Sequence, residues 1–341
     1  MRASDLALLL GRMFTAQLPV LITGAPGVGK SSIVEQAAAA AGARVITSHP
    51  AVSDPTDVKG LPWPAADNKS ATFLPFGELA LALRAAEPTV WFLDDLGQAP
   101  PSVQASFMQL LLARRVNGHV LPDCVTFVAA TNRRTDRAGV SGILEPVKSR
   151  FAAIVELEAH IDDWCRWAFD AGMPPELIAF LRFRPDLLCA FTPSADLTNC
   201  PLPRTWASAG RLLALGLPSH IQHAALVGAV GEGAAVEFGA FLRLYKELPS
   251  IDGILVDPDS AAIPKEPATR YAVVTALAMR SNARNFGRVG RYAERLTDGG
   301  AGEFAALLVR DAVRKDTSIT QTPDFIRLAA GDLGQLISGG F

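Results

Sequence analysis

Residues Leu18 to Ser32 read LPVLITGAPGVGKSS, and the fold turns on this stretch. Val20, Leu21 and Ile22 form a short apolar strand, Gly24-Ala25-Pro26-Gly27-Val28-Gly29-Lys30-Ser31 fits G-x-x-x-x-G-K-[ST], and Ser32 to Ala41 is a helix-forming run. Strand, glycine-rich turn and helix in this order make a phosphate loop. The glycines let backbone N–H groups close around an anion, and the helix N-terminus adds its positive end. Gly24, Ala25, Pro26, Gly27, Val28, Gly29, Lys30, Ser31 and Ser32 are the expected nucleotide-binding residues. Lys30 places a point charge on the β- and γ-phosphates, and the Ser31 hydroxyl is an expected Mg²⁺ ligand. A nucleoside triphosphate with magnesium is the expected ligand.

Composition bounds the rest. At 341 residues, 49% hydrophobic and 19% charged, the chain can bury a large core and is long enough for two domains or more. The net charge of −2 and pI near 6.2 give no global basic field for sequence-independent binding to nucleic acid or an anionic membrane. Cys124, Cys165, Cys189 and Cys200 lack C-x-x-C spacing, and the N-terminus carries no secretion-signal pattern, so reduced thiols in a cytoplasm are expected. The most apolar long stretch, His223 to Tyr245, is interrupted by Gly231, Glu232, Gly233 and Glu237, which argues against a membrane span.

Ser4 is placed to N-cap a first helix with Leu6, Leu9, Leu10 and Met13 on its apolar face. After the phosphate-loop helix, Ala43 to Thr47 reads as a second buried strand, and the alternation predicts a parallel α/β sheet. Residues 49–76 break the pattern with five prolines, which exclude helix interior and central strand at those points. Loops of such length are usually functional. Trp63 and Lys59 either contact a partner or pack the loop onto the domain. Gly77 to Ala86 returns to helix.

Thr89 to Gln98, TVWFLDDLGQ, is the second chemical signal. Five strand-favouring residues deliver two carboxylates to a strand's carboxyl end, as in a Walker B strand. Asp94 is expected to hold Mg²⁺ and Asp95 to act as general base on the attacking water. Pro100-Pro101 then opens a helix, Asn117-Gly118 between Val116 and Val120 signals a hairpin, and Val125 to Ala130 is a buried strand ending at Thr131-Asn132. Asn132, beside the acid-bearing strand, is placed to reach the γ-phosphate or the lytic water, the position called sensor 1.

With these motifs the chain resembles the AAA+ ATPases, and within them the MoxR-like branch. The likeness rests on Ser53-Asp54-Pro55-Thr56-Asp57-Val58-Lys59-Gly60, on Asp94-Asp95-Leu96-Gly97-Gln98-Ala99-Pro100-Pro101 and on the hairpin before Asn132, and covers roughly residues 1–250. It implies a homo-oligomeric ring, usually a hexamer, with nucleotide between subunits. Related ATPases mostly carry Glu where Asp95 stands, one methylene longer, so a longer side chain there is expected to raise the rate if reach limits it. Glu145-Pro146-Val147-Lys148-Ser149-Arg150-Phe151 is similar to the segment whose arginine enters the neighbour's site as a finger; Arg150 is the candidate, with Arg133, Arg134 and Arg137 as nearby alternatives. Leu202-Pro203-Arg204-Thr205-Trp206 sits where the family's lid starts its sensor 2 helix, so Arg204 is the expected contact to the γ-phosphate in cis.

Ala153 to Leu157 reads as the fifth strand, and from His160 onward the strands stop and amphipathic helices follow. The expected organisation is an α/β nucleotide-binding domain over 1–158, a helical lid over 159–260 and a helical extension over 261–341 for docking or assembly. The resemblance implies an ATP-hydrolysing protein that remodels or activates a partner protein, one with a von Willebrand A-type domain in many relatives. The alternatives are a nucleic-acid motor of clamp-loader-like or McrB-like type, and a nucleotide-dependent scaffold with negligible turnover.

Overall fold

The apolar runs Thr89–Leu93 and Val125–Asn132 are buried at every position, as strands covered on both faces by helices must be. The computed structural model describes residues 1–65, 69–136, 139, 142–193 and 196–338. Residues 1–163 with 191–195 form one unit, and 164–190 with 196–341 the other.

In the first unit α1 (Ala3–Ala16) leads into β1 (Val20–Gly24), α2 (Lys30–Ala40) and β2 (Arg44–Ser48). The excursion follows as α3 (Pro55–Lys59) and a ribbon of β3 (Leu61–Pro64) with β4 (Ala71–Leu74). Then come α4 (Gly77–Leu83), β5 (Thr89–Leu93), α5 (Pro101–Ala113), a small hairpin of β6 (Arg115–Val116) and β7 (His119–Val120), and β8 (Val125–Asn132). The unit closes with α6 (Glu145–Lys148) and β9 (Ala153–Leu157). The sheet order is β2-β5-β8-β1-β9, all parallel, with Gly24 level with Asn132 on one side and Leu157 on the other. On one face, Trp91 stacks on Phe127 at 5.3 Å and meets Phe107 of α5 edge-on at 6.3 Å, while its Nε1 donates to Ser48 Oγ at 2.8 Å.

Two local expectations change. Ser4 does not cap α1; the N-cap position falls two residues earlier, at Arg2, and the Ser4 amide in the first turn donates to the Asp163 carboxylate at 3.0 Å, which Arg2 also grips. A carboxylate at a helix N-terminus satisfies an orphan N–H and the dipole together, so the remote Asp163 takes the role a local serine would have had. The 49–76 excursion is not merely a loop: Pro55 sits at the first position of α3, and Pro62 and Pro64 are accommodated because a two-stranded ribbon consists only of edges. Trp63 is 58% exposed, so it does not pin the ribbon down; Asn117 Nδ2 donating to Lys59 O and His119 Nε2 at 2.9 Å from Phe73 O join it to the β6–β7 hairpin.

The second unit is helical. It takes in most of α7 (Ile161–Asp170), then α8 (Pro175–Phe183), α9 (Pro203–Ala214), α10 (Ser219–Val230), α11 (Glu232–Lys246), α12 (Ile251–Val256), α13 (Pro267–Arg280), α14 (Phe286–Asp298), α15 (Gly302–Lys315), α16 (Pro323–Ala330) and α17 (Asp332–Ser338). Phe180, Trp206, Phe238 and Phe241 form one aromatic cluster, and α13 packs against both α8 and α15. Arg182 of α8 holds Asp311 of α15 in a bidentate pair, with Nη2 at 3.0 Å from Oδ1, and its guanidinium lies 5.4 Å from the Phe169 ring. No helix among the described residues is long and apolar enough to cross a membrane.

Candidate active site

The phosphate loop is shaped by what its glycines avoid. A Cβ at Gly24 would meet Leu157 O of β9 at 2.7 Å, and Gly29 stands at φ +107°, where an L side chain is strained. The chain therefore turns sharply off β1 and enters α2 at Lys30, leaving the first amides of the helix directed into the turn. Lys30 is buried, 7% exposed, and its Nζ donates to Gly24 O and Ala25 O at 3.0 Å and to Asn132 Oδ1 at 2.7 Å.

Parallel register brings the carboxyl ends of β1, β8 and β5 side by side, and the acids arrive there. Ser31 Oγ donates to Asp94 Oδ2 at 2.8 Å, while Asp94 N is fixed by Ser48 O at 2.9 Å. Asp95 takes the next step in a left-handed conformation, φ 58° and ψ 35°, its N–H donating to Asp94 Oδ1 at 3.1 Å. Asn132 Nδ2 donates to Asp95 Oδ1 at 3.4 Å, so one buried amide touches both the phosphate-loop lysine and the second acid. Lys30, Ser31, Asp94, Asp95 and Asn132, which lie far apart in sequence, thus form one hydrogen-bonded array. Ser31 and Asp94 present two hard oxygens side by side, which suits Mg²⁺: this ion takes one or two protein oxygens and completes its octahedron with phosphate and water.

The arginines separate. Arg150, just past α6, donates through Nε to Met108 O at 2.9 Å and through Nη1 to Pro146 O, both neutral carbonyls. Arg133 is committed to Asp136 and Glu156, each at 3.0 Å. Arg134 is exposed, and Arg137 lies outside the described residues. Arg204 is exposed in the first turn of α9, in the second unit. Gln104 is a functional candidate that no sequence motif marks; it is a buried amide, 1% exposed, on α5, and shares the run Val103 to Leu112 with two other polar residues, Ser106 and Gln109.

A five-stranded parallel sheet with a phosphate loop after one central strand and paired acids at the end of another defines a P-loop ATPase domain. Within that class, residues 19–151 match the family model of the AAA domain, dynein-related subfamily. Among solved structures the chain is similar to NtrX from Brucella abortus in complex with ATP, at 16% identity and TM-score 0.43, over 86% of this chain and 65% of that one. It is also similar to the ADP complex of that protein, at 16% identity and TM-score 0.36, over 72% of this chain and 67% of that one. RuvB from Thermotoga maritima, a Holliday junction branch migration motor, is similar at 15% identity and TM-score 0.38, over 81% of this chain and 79% of that one. The chain spans about two thirds of the length of the NtrX chains, 65% to 67%. No curated protein sequence matches it.

Proposed function

We infer that this chain is a MoxR-like AAA+ ATPase that assembles into a ring, with a hexamer as the expected size, and uses ATP hydrolysis to remodel or activate a partner protein. The observation that carries the hydrolytic part is the Lys30–Asn132–Asp95 array beside Ser31–Asp94. The phosphates take backbone N–H groups of the 24–32 segment, Pro26 having none to offer, and Lys30 Nζ turns from the Gly24 and Ala25 carbonyls to the β- and γ-oxygens. Ser31 and Asp94 would hold Mg²⁺, which neutralises charge on the transferring phosphoryl group. Asn132 orients a water and Asp95 accepts its proton as the oxygen attacks the γ-phosphorus; ADP leaves and inorganic phosphate forms.

Arg150 is the residue given to the neighbouring subunit. Its contacts are two neutral carbonyls, so its positive charge can be lent to a phosphoryl group without first breaking an ion pair such as the one Arg133 makes. In this reading residues 159–260 act as the lid, Arg204 of α9 as the cis contact to the γ-phosphate, and 261–341 as an extension for assembly. The β3–β4 ribbon supports a protein partner: Leu61, Trp63, Phe73 and Leu74 are all exposed large apolar side chains. A von Willebrand A-type protein is the partner that the MoxR-like resemblance suggests. Hydrolysis measured with and without DNA tests this function. ATP turnover indifferent to DNA is expected; strong stimulation by DNA would favour a nucleic-acid motor, and no turnover in any oligomer would favour a scaffold.

A further inference from the structure

α5 begins six residues after Asp95 and carries two ties to the segment that ends in Arg150. Gln104, in its first turn, spends its buried amide on three backbone groups. Nε2 donates to Ala99 O at 3.0 Å and Gly142 O at 2.9 Å, and Oε1 accepts from Leu144 N at 3.0 Å. Ala99 ends the turn that starts at Asp95, and Leu144 is the residue from which α6 departs. One helical turn further along the same face, Met108 O accepts from Arg150 Nε. Val147 of α6 is fully buried, in the same hydrophobic cluster as Val103 and Phe107 of α5.

We propose that Gln104 is the positioning residue for Arg150: through Gly142 and Leu144 it fixes where α6 starts, and so where the guanidinium stands when it serves the adjacent subunit. This rests on Arg150 being a finger in trans. The anchor matters because α6 is a single turn with no side-chain cap of its own, and a helix that short has little intrinsic stability. The Gln104 oxygen supplies the acceptor for the Leu144 amide, and the two amide hydrogens close the bracket on Ala99 and Gly142. The Gln104 amide is taken up by the Ala99, Gly142 and Leu144 backbone groups, so its effect on the reaction runs through Arg150.

Two variants of the full chain test this. Gln104→Leu removes the bracket; Gln104→Glu keeps the shape and the acceptor for Leu144 while losing both donor bonds, and is the variant to use if the first fails to fold. Misplacement of a charge-stabilising group by about 1 Å can cost on the order of a hundredfold in rate. Turnover should therefore fall roughly tenfold to a hundredfold, with ATP affinity changed by no more than about twofold. Wild-type turnover in both variants overturns the proposal, as does loss of ATP affinity equal to the loss of turnover. The deciding readout mixes subunits. Gln104→Leu (or Gln104→Glu) with Asp95→Asn should recover activity, because interfaces pairing an intact Asp95 with the undisturbed Arg150 of the Asp95→Asn subunit are complete. Arg150→Ala with Asp95→Asn runs alongside. If only that second mixture recovers, Gln104 acts within its own subunit and the positioning role is wrong. If that second mixture stays dead in rings shown to be mixed, the finger itself is wrong and the role of Gln104 falls with it.

Discussion

At the scale of single residues, the two acids differ by backbone. The left-handed region costs an ordinary L residue roughly 1–2 kcal/mol, and Asp and Asn tolerate it best. Asp95 sits there at φ 58°, so Asp95→Asn keeps the backbone and removes only the carboxylate proposed as the base. ATP should stay bound with turnover at background, measured by binding and by phosphate release; undiminished turnover would move the base elsewhere. The longer arm of Asp95→Glu comes with a backbone cost of about 1 kcal/mol, which lowers Tm and works against the gain in rate that side-chain reach alone suggests. Lys30→Ala should weaken ATP binding on the order of tenfold or more, since a charge-assisted contact to phosphate is lost. Its fold should survive, because the Lys30 ammonium bonds to the loop's own carbonyls and to Asn132. Binding at parental affinity would contradict the site. The motif residues Lys30, Ser31, Asp94 and Asn132 were legible because each sits at a fixed offset from an apolar strand, and parallel register then brings them together. Gln104 was not, because its partners are backbone groups in two other segments that no local pattern announces.

At the scale of elements, the strands β1, β5, β8 and β9 and most helices could be read from apolar runs and turn residues, whereas the ribbon of β3 and β4 could not. Its prolines and exposed side chains give no period-two alternation, because neither face is buried. The start of α1 escaped for a different reason: its cap comes from Asp163, 159 residues away. Burial of Asp163 works to raise its pKa, but the hydrogen bonds from Arg2 and Ser4 and the charge of Arg2 outweigh it and hold the carboxyl below its ordinary value. A carboxylate depressed in the folded state stabilises fully above its unfolded pKa of about 4 and loses that contribution as pH falls through the lower folded value. Asp163→Ala should thus cost about 2 kcal/mol near neutral pH, the worth of hydrogen bonds to a charged group. The difference from the parent should shrink as pH drops below about 4. A difference in unfolding free energy that persists unchanged at low pH would show that the clamp is not electrostatic.

At the scale of the whole molecule, the helical unit is fastened by Arg182 and Asp311, whose side chains are 11% and 9% exposed. Breaking one partner of a buried pair typically costs 3–5 kcal/mol, because the remaining charge is left without its counter-ion. Asp311→Asn should accordingly lower the stability of the second unit by roughly 3 kcal/mol, read by thermal unfolding; a shift in Tm within error would mean that Arg182 finds another partner. The sequence showed helices on both sides of residue 260 but not this bond, since charges 129 residues apart carry no periodic signal. The proposed assembly belongs to this scale, because Arg150 is argued to complete a site on another copy of the chain. The most direct test is ATP turnover per subunit measured against protein concentration, with mass determined on the same samples. The expected result is turnover that appears with the oligomer and falls by ~10³-fold or more on dilution to the monomer, the loss typical when an arginine finger is withdrawn. Constant turnover per subunit in a stable monomer would contradict the intersubunit site.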